Sequence, residues 1–303
     1  MISSALLLLP DFLLIMLGFV LCRHTALDRR VWAGVEQLVY WLLFPVLLFG
    51  AVLRSPLDIG SALNLGLAGV LMLVCGFGLA TALRTVPGVD ARLHASGAQV
   101  GFRFNSYVAL ALAERLGSSQ GVAWIALLIA LGVPLCNIGA VWSLARHGGQ
   151  NVWREMARNP LILGTVGGLL GHLAGLSLPS AVDTTLARIG SAALPLGLMA
   201  VGAGLQIGGL NAAPRLAAGL LTIRHLILPC VAMLLSVVLA LPHDQALVLV
   251  AFAAMPTASS AFVLAIRMGG DGQYVAGLVT ASTLLGMVSI PLAVEIARRL
   301  PLL

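Results

Sequence analysis

Between Leu6 and Leu21 the sequence carries one ionisable side chain, Asp11, and apolar stretches of this kind recur along its length. Such runs leave few choices of fold. In lipid every backbone N–H and C=O must find a partner within the protein, so only helices and closed barrels cross a bilayer. About 20 apolar residues make one helical crossing. The rest of the composition agrees: 60% of the 303 residues are hydrophobic and 9% charged, against roughly a quarter charged in soluble domains. The chain reads as an integral membrane protein with room for roughly ten spans if the loops are short. The first run lacks a basic n-region and a cleavage site, and reads as a first span rather than a signal peptide.

Punctuation by Gly, Pro and charge predicts ten spans, over 2–22, 33–53, 60–83, 93–115, 120–145, 157–176, 184–207, 217–241, 245–268 and 274–297. Arginine in short loops sets orientation. Loops after odd-numbered spans hold Arg23, Arg29, Arg30, Arg84, Arg92, Arg146, Arg154, Arg158, Arg215 and Arg267; those after even-numbered spans hold Arg54, Arg115 and Arg188. The majority puts the odd loops in the cytoplasm and both termini outside, in the plasma (inner) membrane, with Arg298 and Arg299 as a minority against.

The formal charge of +6 is entirely arginine, for the sequence contains no lysine. A P-loop, which needs its lysine, and a lysine Schiff base are therefore excluded. The charge is spread over short loops, which fits topology and gives no footprint for nucleic acid. Cys22, Cys75, Cys136 and Cys230 lie in or beside apolar spans without a CxxC pair, and read as small packing residues. No HExxH zinc motif occurs among the six histidines.

The sequence also repeats itself weakly. "YWLLFPVLLF" in span 2 matches "GSAALPLGLM" in span 7 at an offset of 150, pairing Pro45 with Pro195; "LAERLG" in span 4 matches "LAIRMG" in span 9 at an offset of 152; "VPL" at 133–135 matches "IPL" at 290–292. The order is kept across two halves, 1–147 and 148–303. Five spans per half is odd, so the second half enters the membrane in the opposite sense. This is the inverted repeat of many secondary transporters.

The offset sets Phe104-Asn105 of span 4 against Pro256-Thr257 of span 9. Pro256 lacks an N–H and its ring opposes the carbonyl of Phe252, so span 9 should kink or break there. Thr257, Ser259 and Ser260 could serve the freed backbone or a ligand; taken alone, the motif also describes a kink patched by local hydroxyls. Arg103 lies about ten residues into its span, roughly 15 Å at helical rise. An unpaired arginine at that depth costs roughly 3 kcal/mol or more, so it faces a cavity or a partner. The alternatives are snorkelling or a structural pair. Its planar fork suits a carboxylate, and few acids lie within the spans; Asn105, Ser106 and Tyr107 follow closely. Between Phe102 and Leu116 there is no Gly or Pro, so a break is better supported in span 9 than in span 4. Arg224-His225 opens the 16-residue run "LILPCVAMLLSVVLAL" and is expected at the cytoplasmic edge, snorkelling. "GTVGGLLG" has GxxxG spacing at 164/168 and 167/171, read as internal helix packing. Asn137 is expected to bond a neighbouring helix.

With these residues in view, the sequence resembles the auxin efflux carrier family, in its bacterial branch. The likeness runs through "LVYWLLFPVLLF", "FRFNSYVALA", "RNPLILGTVGGLL", "ALPLGLMAVGAGL" and, most specifically, "MPTASSAFVLAIRMGGD" followed by "TASTLL". The resemblance implies an all-α fold of ten spans in two inverted five-helix repeats, with outward termini and with helices 4 and 9 broken near the midplane, like bile-acid symporters and sodium–proton antiporters. It implies a scaffold of spans 1, 2, 6 and 7, and a moving domain of spans 3–5 and 8–10. The crossover site maps onto Asn105, Ser106, Pro256 and Thr257. Many relatives have a proline after the span-4 polar motif, where this chain has Ala109-Leu110-Ala111. Family substrates are organic anions: auxin in plants, small carboxylates proposed in bacteria.

The expected function is secondary transport of a small organic anion, with a carboxylate the leading class, by elevator-type alternating access. A channel or sensor is the alternative, and an intramembrane enzyme built on the "GGDG" at 269–272 a weaker one. Expected substrate contacts are Arg103, Asn105, Ser106, Tyr107, Pro256, Thr257, Ser259 and Ser260; expected hinges are Pro45, Pro195 and Pro256. No catalytic residue, metal or cofactor is expected. Coupling to H+ or Na+ stays open, as does a homodimer; the other partners are the substrate and the bilayer.

Overall fold

The computed structural model describes residues 2–54, 59–115, 119–144, 160–205, 208–258 and 260–300, and these are helical apart from short connections. The first half holds α1 (Ile2–His24), α2 (Arg29–Leu38), α3 (Phe44–Leu53), α4 (Ile59–Ala82), α5 (Ala91–Gly97), α6 (Ser106–Arg115) and α7 (Ser119–Leu144). The second holds α8 (Pro160–Leu173), α9 (Ser180–Ser191), α10 (Ala193–Ala203), α11 (Pro214–Thr222), α12 (Leu228–Val238), α13 (His243–Ala253), α14 (Ser260–Arg267) and α15 (Gly272–Arg299). Among the described residues, six helices are long and apolar enough to cross a membrane: Arg29–Gly50, Ala62–Thr85, Gln120–Leu144, Ser180–Ala203, Pro214–Val238 and Gly272–Arg299. Their outward faces carry exposed leucine, valine and tryptophan, such as Trp41, Leu63, Leu234 and Val288. This is a multi-pass membrane protein.

Prolines shape these helices in two ways. Pro45 does not break its helix. A π turn at Val39–Leu43 runs into α3, and Pro45 falls in the first turn of α3. The wide turn absorbs the hydrogen bond that the ring cannot make. Pro229 repeats the device after a π turn at Ile223–Ile227. Pro195 lies three residues past Ala192, where α9 and α10 meet in a short turn, so the joint falls beside the proline.

Two helix pairs approach to backbone contact. A Cβ on Gly18 would sit 1.9 Å from the Met199 carbonyl oxygen, and one on Gly168 would sit 2.7 Å from that of Phe49. Gly18 and Gly168 are 150 residues apart, and so are Phe49 and Met199. Gly164 meets Pro45 in the same way as Gly168 meets Phe49. The glycine spacing at 164/168 therefore serves internal packing of α8 on α3, as small residues do between membrane helices.

The expected fourth and ninth spans are both interrupted. After α5 a 3₁₀ turn covers Ala98–Gly101, the chain leaves helical geometry over 102–105, and α6 begins at Ser106. After α13 the chain is non-helical over 254–258, and α14 begins at Ser260. The two breaks meet. The Asn105 N–H donates to the Pro256 carbonyl at 2.8 Å, and the rings of Phe104 and Phe252 pack with centroids 4.4 Å apart. In span 4 no proline is needed, because a tertiary partner takes the N–H that a continuous helix would have used.

Candidate functional site

Each break leaves helix-end groups without helical partners, and the neighbours supply them. Asn105 caps α6: its side-chain oxygen accepts from the N–H groups of Tyr107 and Val108, at 3.0 and 3.3 Å. Asparagine is among the strongest N-cap residues. In the other break the Thr257 N–H donates to Ser282 Oγ at 2.9 Å, and that hydroxyl also bonds His225 Nε2 at 2.9 Å. Thr257 is fully buried, and its own hydroxyl oxygen has no partner among the described residues.

Arg103 lies in the first break, 9% exposed. It donates to Gln99 Oε1 at 3.3 Å, Asn137 Oδ1 at 3.1 Å and Ser260 Oγ at 3.2 Å. These partners come from three elements: the turn before the first break, α7, and the start of α14. All three are neutral, so among the described residues the guanidinium is held in place without an ion pair.

Two cavities converge here. The larger, about 420 Å³, runs from Arg29, Glu36 and Gly204 past Tyr40 to Arg103, Tyr107, Asn137 and Ser260. The smaller, about 230 Å³, continues beneath Arg103 and is lined by Asn105, Ser106, Tyr107, Cys136 and Ala258 among others. Glu36 is the carboxylate in the larger cavity, and Arg29 holds it bidentately at 2.7 and 3.2 Å. Tyr107 stacks on Phe44 of α3, with centroids 4.6 Å apart and rings within 6° of parallel.

The structure thus brings together Arg103, Asn105, Ser106, Tyr107 and Ser260 around a cavity. Pro256 and Thr257 are buried and do not line it: the Pro256 carbonyl makes the join, and the Thr257 N–H goes to Ser282. Ser259 lies outside the described residues. Pro45 and Pro195 lie in the helix that flanks Phe44 and at the α9–α10 joint, away from the guanidinium's contacts.

Three residues had been undervalued. Gln99 is fully buried, and besides holding Arg103 it ties its own amide to the Ser96 and Ala261 carbonyls, both at 3.1 Å. Asn137, expected only to join helices, orients Arg103. Arg224 was expected to snorkel at the cytoplasmic edge. It is instead 0% exposed, in the middle of Pro214–Val238, and donates to the carbonyls of Phe252 and Met255. The apolar sequence "LAAGLLT" ahead of it was the available signal.

Asp271 of the "GGDG" stretch caps α15, accepting from the Tyr274 N–H at 2.8 Å, while its own N–H donates to Ser96 Oγ at 2.8 Å. The carboxylate has a structural task there. Among the described residues no group of three His, Cys, Asp or Glu could hold a metal ion.

Broken membrane helices meeting beneath a cavity, with a guanidinium held by neutral groups, define a membrane transporter. The family model described as membrane transport protein matches residues 104–294, more than half of the chain. The chain belongs to this family, that of the auxin efflux carriers. No curated protein matches it.

Proposed function

We propose that the protein is a secondary transporter for a small organic anion, with a carboxylate as the group recognised, and that Arg103 receives it. The observation that carries this reading is Arg103 itself: buried at the meeting of two broken helices, open to a cavity of about 420 Å³, and bonded only to neutral groups among the described residues. The N-termini of α6 and α14 add positive dipole ends. Tyr107 and Ser260 supply hydroxyls, and Asn105 and Ser106 line the deeper end.

In this proposal the chain makes ten crossings in two inverted halves, 1–147 and 148–303. Paired breaks and the equivalent contacts of Gly18 and Gly168 support it. Both termini face outward from the plasma membrane. The larger cavity then opens to the cytoplasm, through the helix ends at Arg29 and Gly204. Elevator movement would slide the domain of spans 3–5 and 8–10 past spans 1, 2, 6 and 7, parting Tyr107 from Phe44.

The test is counterflow in proteoliposomes, following a thermal-shift screen of mono- and dicarboxylates, since a ligand of the folded state raises the apparent melting temperature. Saturable uptake accelerated by the same anion inside the vesicle is expected. Unsaturable current would make the protein a channel, and product formation an enzyme.

A further inference from the structure

Arg224 poses a separate question. It is fully buried, and an arginine inside a bilayer-spanning helix is costly unless paired. Yet the acceptors it uses are not carboxylates. Nε donates to the Met255 carbonyl, and an Nη donates to the Phe252 carbonyl at 3.2 Å. Its other Nη has no partner among the described residues. The ion pairs given by the described residues, Arg29–Glu36, Arg54–Asp183 and Arg299–Glu295, all involve partly exposed side chains elsewhere.

Phe252 lies in the last turn of α13, and Met255 just beyond it. The next carbonyl, Pro256, is taken by the Asn105 N–H. A helix ending inside a membrane presents carbonyls with partial negative charge, and in broken transporter helices such ends hold coupling cations. Here a guanidinium fixed to the neighbouring helix holds them. The adjacent His225 completes the arrangement through Ser282, whose hydroxyl receives the Thr257 N–H. Residues 224 and 225 thus serve the acceptors and, at one remove, a donor of the same break.

We infer that Arg224 is a resident cation: it supplies, as a fixed charge, what a dissociable metal cation would supply at this helix end, so the anion is carried without a co-bound monovalent metal ion. The consequence for flux rests on the transporter reading above; the binding test does not. The apparent melting temperature of the purified protein is measured in equimolar sodium, potassium and choline chloride. The wild type should give one value in all three. Arg224→Ala should melt lower by roughly 5 °C or more, since it removes the donor to the buried Met255 carbonyl and leaves that of Phe252 with the Met255 N–H alone. Millimolar methylguanidinium chloride should restore part of that loss where choline chloride does not, and sodium should acquire a stabilising effect absent from the wild type. Arg224→Lys should sit between the two proteins. Stabilisation of the wild type by sodium over choline would overturn the inference, and that measurement needs no variant to fold. So would an Arg224→Ala protein indifferent to both methylguanidinium and sodium. Counterflow in sodium-free medium separates the two ideas: if no anion moves in any medium the transport reading fails, whereas flux that requires sodium sinks the resident cation alone.

Discussion

Replacing Arg103 by glutamine separates two tasks that one guanidinium could perform. As a receiver of substrate it makes a charge-assisted hydrogen bond with the anion, worth about 1.5–3 kcal/mol, or roughly 10- to 150-fold in affinity. As a structural residue it joins Gln99, Asn137 and Ser260. Those acceptors are neutral, and the last two border the cavities, where water can replace the lost donor. Burial of the guanidinium meanwhile costs desolvation that its removal returns. The stability change in Arg103→Gln should therefore be small, within a few degrees of melting temperature, while carboxylate affinity falls by the larger factor. Arg103→Lys should recover part of the affinity, because an ammonium keeps the charge and loses the planar fork. Titration with a carboxylate from the screen and a melting curve on the same preparations decide the matter. Unchanged affinity with a collapsed melting temperature would refute the argument and make Arg103 a brace.

Three further outcomes are expected. Formal charges around the larger cavity are Arg29, Glu36 and Arg103, a net of one positive charge; Glu36→Gln should shift competition in favour of dicarboxylates over monocarboxylates by at least about threefold, and an unchanged ratio would place Glu36 outside the electrostatics of the site. Pro256→Ala restores an N–H where the chain leaves its helix, and should keep expression while abolishing counterflow; wild-type flux would show that packing alone fixes the break. Val86→Cys, on a background lacking the native cysteines, should resist an impermeant thiol reagent applied to intact cells, and labelling from outside would reverse the proposed orientation.

Much of this arrangement is written in local sequence. The helical runs follow from hydropathy, and Pro256 announces its break by the absence of an N–H. Arg103 announces a cavity by its depth in an apolar run. What was hidden is tertiary. The break at 102–105 contains no helix breaker and depends on the Pro256 carbonyl, 151 residues away. Gln99 and Asn137 are ordinary polar residues until the fold carries them to the same guanidinium. Arg224 was misplaced because the apolar run after it is longer than the one before, so length alone put it at an edge. Pro45, expected as a hinge, follows a π turn that carries the helix on without interruption. Such a turn has no distinctive residue signature here: Val39–Leu43 is VYWLL and Ile223–Ile227 is IRHLI, and they share little beyond the proline that follows.

The join between the two breaks is made by main-chain atoms, the Asn105 N–H and the Pro256 carbonyl, and this bears on how the protein can vary over generations. Every amino acid has the carbonyl, and every one but proline has the N–H. Drift at position 105 can therefore remove the α6 cap, or alter what lines the deeper cavity, without untying the halves. The chemistry offered to substrates is free to diverge while the crossing that holds it is inherited intact. Only proline at 105 severs both at once, which makes it the substitution this position should tolerate least.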